Sequence, residues 1–138
     1  MANYRFFSAT GGDVSQLIIS TTLNENVTQG DVVRAKVAGA NGVLEKADDS
    51  GTTCAGIAMA TGSTADTINM LQSGEHDVNF IETLTAADIG KTVYVSATPG
   101  KATLTAPTAS GKTIIKLGYL KSDAGSVFVS PSTILTIS

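Results

Sequence analysis

The residues with the strongest claim on chemistry are those of "APTASGKT", Ala106 to Thr113, which fit a relaxed phosphate-binding loop: Ala for the first Gly, four free positions, then Gly-Lys-Thr. In such a loop, backbone N–H groups wrap the phosphates, the lysine reaches the outer ones, and the positive end of a helix faces the anion. The pattern therefore demands a buried strand before it and a long amphipathic helix after it. Thr113 instead leads into "IIKLGYL", rich in β-branched residues, and Pro107 stands inside the supposed cradle. A Ser-Gly turn between two strands accounts for the same letters, and "GKT" recurs at Gly90 to Thr92 before another strand. The sequence therefore predicts neither a nucleotide site nor a cofactor.

A thiol nucleophile could pair Cys54 with His76 and either Asp77 or Asp66. Nothing near Cys54 marks an oxyanion hole or lowers the thiol's pKa. The setting "TTCAGIAMA" is that of a buried, inert cysteine. On a strand, His76 and Asp77 point to opposite faces, so Asp77 is poorly placed to orient the imidazole. The same alternation puts Glu75 and Asp77 together and His76 away from them, which weakens "EHD" as a metal triad. In "KADDSGT" the alternating ligands and closing Glu of a calcium loop are missing, so Asp48 and Asp49 are expected to bond local N–H groups of a turn. No enzyme activity and no metal site are expected.

The elements that would have to position these residues are strands. The chain of 138 residues suits one domain; it is 42% apolar and 15% charged, with only 5% aromatic residues and abundant Thr, Ser, Ala and Gly. Period-two or apolar runs occur in "SQLIISTTL", in "TQGDVVRAKV" with Val33, Ala35 and Val37 on one side, in "GVLEKAD" and in "CAGIAMA". The small residues of the last suit a strand lying close to another backbone. "TINMLQSGEHDVNFIE" reads as two strands around a Ser73-Gly74 turn, with Val78 and Phe80 sharing a face. Thr85 caps one helical turn through Asp88, which Gly90 ends, before strand Lys91 to Ser96. "ATPGKATLT" turns into a strand, "TIIKLGYLK" is a strand, and "GSVFVS" and "STILTIS" complete a mainly β chain. The punctuation repeats: "QGDVV…GVLEKADDSGTTCAGIA" and "IGKTVYV…GKATLTAPTASGKTIIKLGYL" share a Gly before a strand, a Gly-led strand, a Ser-Gly turn and a strand ending at Gly56 or Gly118. Unrelated hairpins can share such punctuation, so it sets no domain boundary.

A net charge of −3 disfavours nucleic-acid binding. Its distribution is uneven: residues 1–89 carry four basic residues against eleven acids, net −7, and residues 90–138 carry five Lys against Asp123, net +4. Either folding interleaves the two parts, or acidic and basic faces meet between subunits. One cysteine allows no internal disulfide. No stretch resembles a signal peptide or the ~20 apolar residues of a membrane span, which predicts synthesis and assembly in a cytoplasm. The start "NYRFF" gathers three of the seven aromatics ahead of "SATGGD". That composition suits either a first strand on its own core or an arm, residues 1–12, that docks elsewhere, ahead of a single domain at 13–138.

With the middle of the chain laid out, "VTQGDVV", "GVLEKADDSGTTCAGIAMA" and "TADTINMLQSGEHDV" resemble the head decoration proteins of tailed phages, the class typified by the phage lambda decoration protein. "LTAADIGKTVYVSATPGKATLTAP…IIKLGYL" resembles a broader group of phage capsid cement proteins. The resemblance implies a single compact β-barrel or β-tulip-like domain with one short helical turn and an extended N-terminal arm. It implies a homotrimer on the outer capsid surface of the virion, bound to the major capsid protein of the expanded head and clamping neighbouring copies. Asn3, Tyr4, Arg5, Phe6 and Phe7 would be the capsid-contacting part of the arm. A tail or fibre β module that binds carbohydrate or a receptor is the alternative.

Overall fold

The computed structural model describes residues 16–51, 53, 54 and 56–138; the expected arm contacts Asn3, Tyr4, Arg5, Phe6 and Phe7 lie outside the described residues. The described residues form nine strands: β1 (Leu17–Thr22), β2 (Val32–Ala35), β3 (Leu44–Lys46), β4 (Gly56–Ala58), β5 (Thr67–Asp77), β6 (Thr92–Val95), β7 (Ala102–Thr103), β8 (Thr113–Leu120) and β9 (Ser126–Thr136). Their ladders are antiparallel and run in the order β3-β2-β4-β5-β9-β8-β6-β7, with β1 also on β5. The result is one sheet curled strongly into a half-barrel. The one helical element among the described residues is the 3₁₀ turn Ala86–Asp88. As the sequence predicts, Thr85 precedes it: the Thr85 N–H donates to Asp88 Oδ2 at 2.9 Å and the Thr85 hydroxyl to the same atom at 3.2 Å.

The repeated punctuation is the plan of this sheet. Strands β2 to β5 and β6 to β9 have the same pairing pattern, β3-β2-β4-β5 against β7-β6-β8-β9, and the two units meet where β5 pairs β9. Registers correspond residue by residue. Val32 pairs Ile57 and Val33 pairs Gly56, as Thr92 pairs Tyr119 and Val93 pairs Gly118; Ile57 and Ala58 pair Leu71 and Met70, as Tyr119 and Leu120 pair Phe128 and Val127. The lead-in glycines correspond too. Gly30 N–H donates to the Ala58 carbonyl at 2.9 Å and Gly90 N–H to that of Leu120 at 2.8 Å, each at φ +91°. Gly56 and Gly118 occupy one position for one reason: a Cβ there would run into the carbonyl oxygen of Leu71 or of Phe128 on the next strand.

Alternation along the strands decides what each face buries. In the first unit Val32, Ile57 and Leu71 face the larger core cluster and Val33, Ala58 and Met70 the smaller one, which Leu23, Val27, Leu44 and Ile68 complete. In the second unit Val93, Leu120 and Val127 face the larger cluster. The first unit is thus apolar on both faces and packs one of them against the second unit. The second unit's other row, Thr92, Tyr119 and Phe128, has no counterpart over it among the described residues.

Three strand readings change. Ser73-Gly74 is no turn: β5 runs through it, pairing β1 and β4 before and β9 after, so this stretch is where one strand changes partners. "GSVFVS" and "STILTIS" are one strand, β9, because Pro131 falls where the register with β8 shifts between Lys116–Ser132 and Gly118–Val129. A missing N–H costs no ladder bond at such a bulge. Strand β2 stops at Ala35, and Val37 lies beyond it, exposed, ahead of Ala38 at φ +55°.

Candidate functional site

The phosphate-loop letters sit in a turn between β7 and β8. Gly111 takes φ +85°, Lys112 N–H donates back to the Ala109 carbonyl at 3.2 Å, and the chain enters β8 at Thr113. The Lys112 ammonium stands 3.2 Å from Oδ1 of Asp49, a buried carboxylate. The lysine that would reach a phosphate is therefore held in an ion pair within the fold.

The thiol-site candidates are dispersed. Cys54 packs against the larger core, its Sγ 3.6 Å from the Val33 carbonyl oxygen and 3.9 Å from that of Gly56, and burial pushes its thiol up to about 12. A thiol so raised is protonated at neutral pH and a poor nucleophile. Asp66 closes the turn before β5, its Oδ2 accepting the Ser63 N–H at 2.8 Å. It and His76 stand near opposite ends of β5, roughly 30 Å apart by strand rise, so it cannot orient the ring. His76 Nδ1 lies 2.7 Å from the Asp77 backbone oxygen. Glu75, His76 and Asp77 line one open polar groove with Gln29 and Asn79. Glu75 is engaged elsewhere: Lys121 Nζ donates to Oε2 at 2.6 Å and the Ser126 hydroxyl at 3.1 Å, which holds its carboxyl below the usual range. Among the described residues no three His, Cys, Asp or Glu converge as a metal site.

Asp48 makes the expected turn and more, whereas Asp49 Oδ1 bonds no local N–H and faces Lys112 instead. Asp48 Oδ1 accepts the Ser50 N–H and Arg34 Nη1–H, both at 3.0 Å, while Arg34 Nε–H reaches Glu45 at 2.8 Å. Burial alone would raise the Asp48 carboxyl; the bonds from Ser50 and the Arg34 guanidinium outweigh it and hold the group below its ordinary value. A carboxyl lowered in this way stabilises the fold fully above the unfolded-chain value of about 3.9, and that contribution drains away as pH falls through the lower folded value. Asp48→Asn should therefore cost about 1 kcal/mol at pH 7. Urea midpoints of the two proteins should converge as pH falls below about 4; a gap that stays constant would show that charge at Asp48 is irrelevant.

Three of the ion pairs, Lys91–Asp88, Lys112–Asp49 and Lys121–Glu75, join residues 90–138 to residues 1–89. The charge asymmetry is thus partly met inside one subunit.

Two surfaces remain that sequence reasoning did not single out. One is β1, "LIISTT", which among the described residues pairs β5 along one side only; Leu17, Ile18 and Ile19 are all exposed, Leu17 at 52%. The other is a groove of about 550 Å³ over β5, β9 and β8, lined by Ser73, Gly74, Lys116, Tyr119, Phe128 and Ser130 among others. Tyr119 and Phe128 are paired across strands and 48% and 51% exposed, whereas their first-unit equivalents Ile57 and Leu71 are both fully buried. Alternation in "KLGYL" and "SVFVS" shows each aromatic facing outward; the register that sets them side by side is not in the letters.

No protein-family model matches this chain, and no curated protein matches it.

Proposed function

We propose that this chain is a structural capsid decoration protein: it binds the outer surface of an expanded tailed-phage head and stabilises contacts between major capsid proteins. It acts as a homotrimer, without catalysis, cofactor, nucleic acid or membrane. The resemblance of the Gly-and-turn segments to phage head decoration proteins supplies the class. The observation that carries the reading is the β1 edge. Exposed edge strands recruit other strands, and proteins that act alone blunt them with lysine, proline or a bulge. Six residues of "LIISTT" carry no charge and no proline, the one register shift of their ladder with β5 falls at its start between Leu17 and Ile18, and three large aliphatics stand exposed on them. Such an edge is suited to being covered in an assembly, by a strand of another subunit. Many weak copies on one shell would then resist internal pressure through multivalency.

Sedimentation of the purified protein with expanded capsids, and with unexpanded ones as control, tests this. Saturable co-sedimentation with expanded shells alone is expected. A chain lacking residues 1–8, and one carrying Ile18→Lys on the edge, should keep the parent's melting midpoint and bind roughly tenfold more weakly or worse, the loss that about 1.4 kcal/mol per site produces. A folded protein that binds neither shell would overturn the reading and favour a tail or fibre module.

A further inference from the structure

The second unit's outward row is built unlike the row it corresponds to. Where the first unit packs against protein it uses Val32, Ile57 and Leu71; at the matching positions the second unit has Thr92, Tyr119 and Phe128. An uncovered copy of the first row would be aliphatic and dry. This one pairs two half-exposed rings and surrounds them with short hydroxyl side chains, Ser73, Ser130 and Ser132, and with charge. The register shift between Lys116 and Gly118 turns Lys116 to the same side as Tyr119. Its ammonium lies 4.1 Å from the Tyr119 ring centre and 2.7 Å from the phenol oxygen, and among the described residues it has no carboxylate partner. Glu75, the one carboxylate lining the groove, is held at 2.6 Å by Lys121, whose ammonium also lies 5.5 Å from the Phe128 ring centre, so Lys116 carries the charge left over.

Three properties of the groove restrict what fits it. Beneath the two rings β9 is hydrogen-bonded on both sides, to β5 over Ser126–Val129 and to β8 over Val127–Val129, so a peptide cannot add there as a strand; from Ser130 onward its only ladder among the described residues is the one with β8. Gly74 and Gly118 are part of its lining and put no side chain into it. A volume of about 550 Å³ lies within the ~300–1,000 Å³ range of small-ligand sites. From the rings, the serines and the unpaired ammonium we infer that the groove binds an acidic saccharide, a chain of pyranose units bearing carboxylates. Each ammonium stands over one face of its ring, and axial C–H groups of a pyranose, which carry slight positive charge, meet the ring surface of Tyr119 and Phe128 that stays exposed. Its hydroxyls find Ser73, Ser130 and Ser132, and its carboxylate finds Lys116. Saccharide binding depends on this groove alone and is independent of whether the chain binds capsids.

Titration calorimetry of the full chain with a defined hexauronate and with a neutral hexaglucoside of the same linkage, in low and in moderate salt, tests the assignment. Saturable binding of the hexauronate is expected, weakened by salt and roughly tenfold or more tighter than that of the neutral sugar. Tyr119→Ala, Phe128→Ala and Lys116→Gln should each lower affinity roughly tenfold or more while the protein stays folded, since the two rings are about half exposed and none of the three belongs to either core cluster. No saturable uptake of the hexauronate, equal binding of both sugars, or binding indifferent to all three substitutions would overturn the assignment. So would an oligomer that Tyr119→Ala dissociates in the absence of sugar binding, because the row would then be covered by a second copy.

Discussion

Gly118→Ala should lower stability by about 3–5 kcal/mol, a large part of the ~5–15 kcal/mol that holds a domain of this size together. The added methyl has nowhere to go. It would point into the Phe128 carbonyl oxygen, and that peptide cannot step aside, because β9 is paired to β8 on one side and β5 on the other. Gly111 supplies the control. It sits at φ +85° in the turn before β8 with nothing within 4 Å of where a Cβ would stand, so Gly111→Ala carries only the backbone cost, about 1 kcal/mol. Urea unfolding of both variants separates close approach from conformational preference. Gly56→Ala should resemble Gly118→Ala, since its Cβ meets the Leu71 carbonyl in the corresponding place. If Gly118→Ala lost no more than Gly111→Ala, the tight contact between β8 and β9 would be wrong, and the correspondence of the two units would lose its best support.

That correspondence shows how far the letters reach. Gly30, Gly56, Gly90 and Gly118 are visible in the sequence as punctuation at matching points of two segments. Their meaning, two units with one pairing scheme, needs the strand partners, and those are fixed by contacts distant in sequence. Local signals succeed where the cause is local: Thr85 and Asp88 close a 3₁₀ turn, and Asp48 and Ser50 close theirs. They fail where a small residue serves something long-range. Ser73-Gly74 has turn chemistry, yet the chain stays extended there because β1 and β9 both need β5. Pro131 reads as a strand end, yet a bulge absorbs it. Residues of the candidate groove are legible one at a time as outward positions. Lys116 and Tyr119, three apart, would face opposite ways on a regular strand, and only the bulge brings them together.

Lys112→Ala is the other substitution with a large expected effect, and the sequence by itself predicts the reverse. As the lysine of an unsupported phosphate-loop match it should be dispensable both for stability and for nucleotide affinity. The fold revises the first half. Asp49 is buried, its backbone holds Ser96 and Thr113 on either side, and the Lys112 ammonium at 3.2 Å is the cation beside Oδ1, an oxygen that has no aligned hydrogen bond. Removing one partner of a buried pair strands the other charge, which costs roughly 3–5 kcal/mol when both are buried. The Lys112 side chain is 37% exposed, so about 2 kcal/mol is the expectation here. Asp49→Ala alone should cost a similar amount, and the double variant should lose markedly less than the two together, since with both side chains gone no orphaned charge is left behind. A coupling near zero would mean that the pair is an incidental contact. ATP titration of the parent addresses the second half: uptake that saturates and that Lys112→Ala abolishes would restore the phosphate-loop reading, because a lysine committed to Asp49 has no charge to spare for a phosphate.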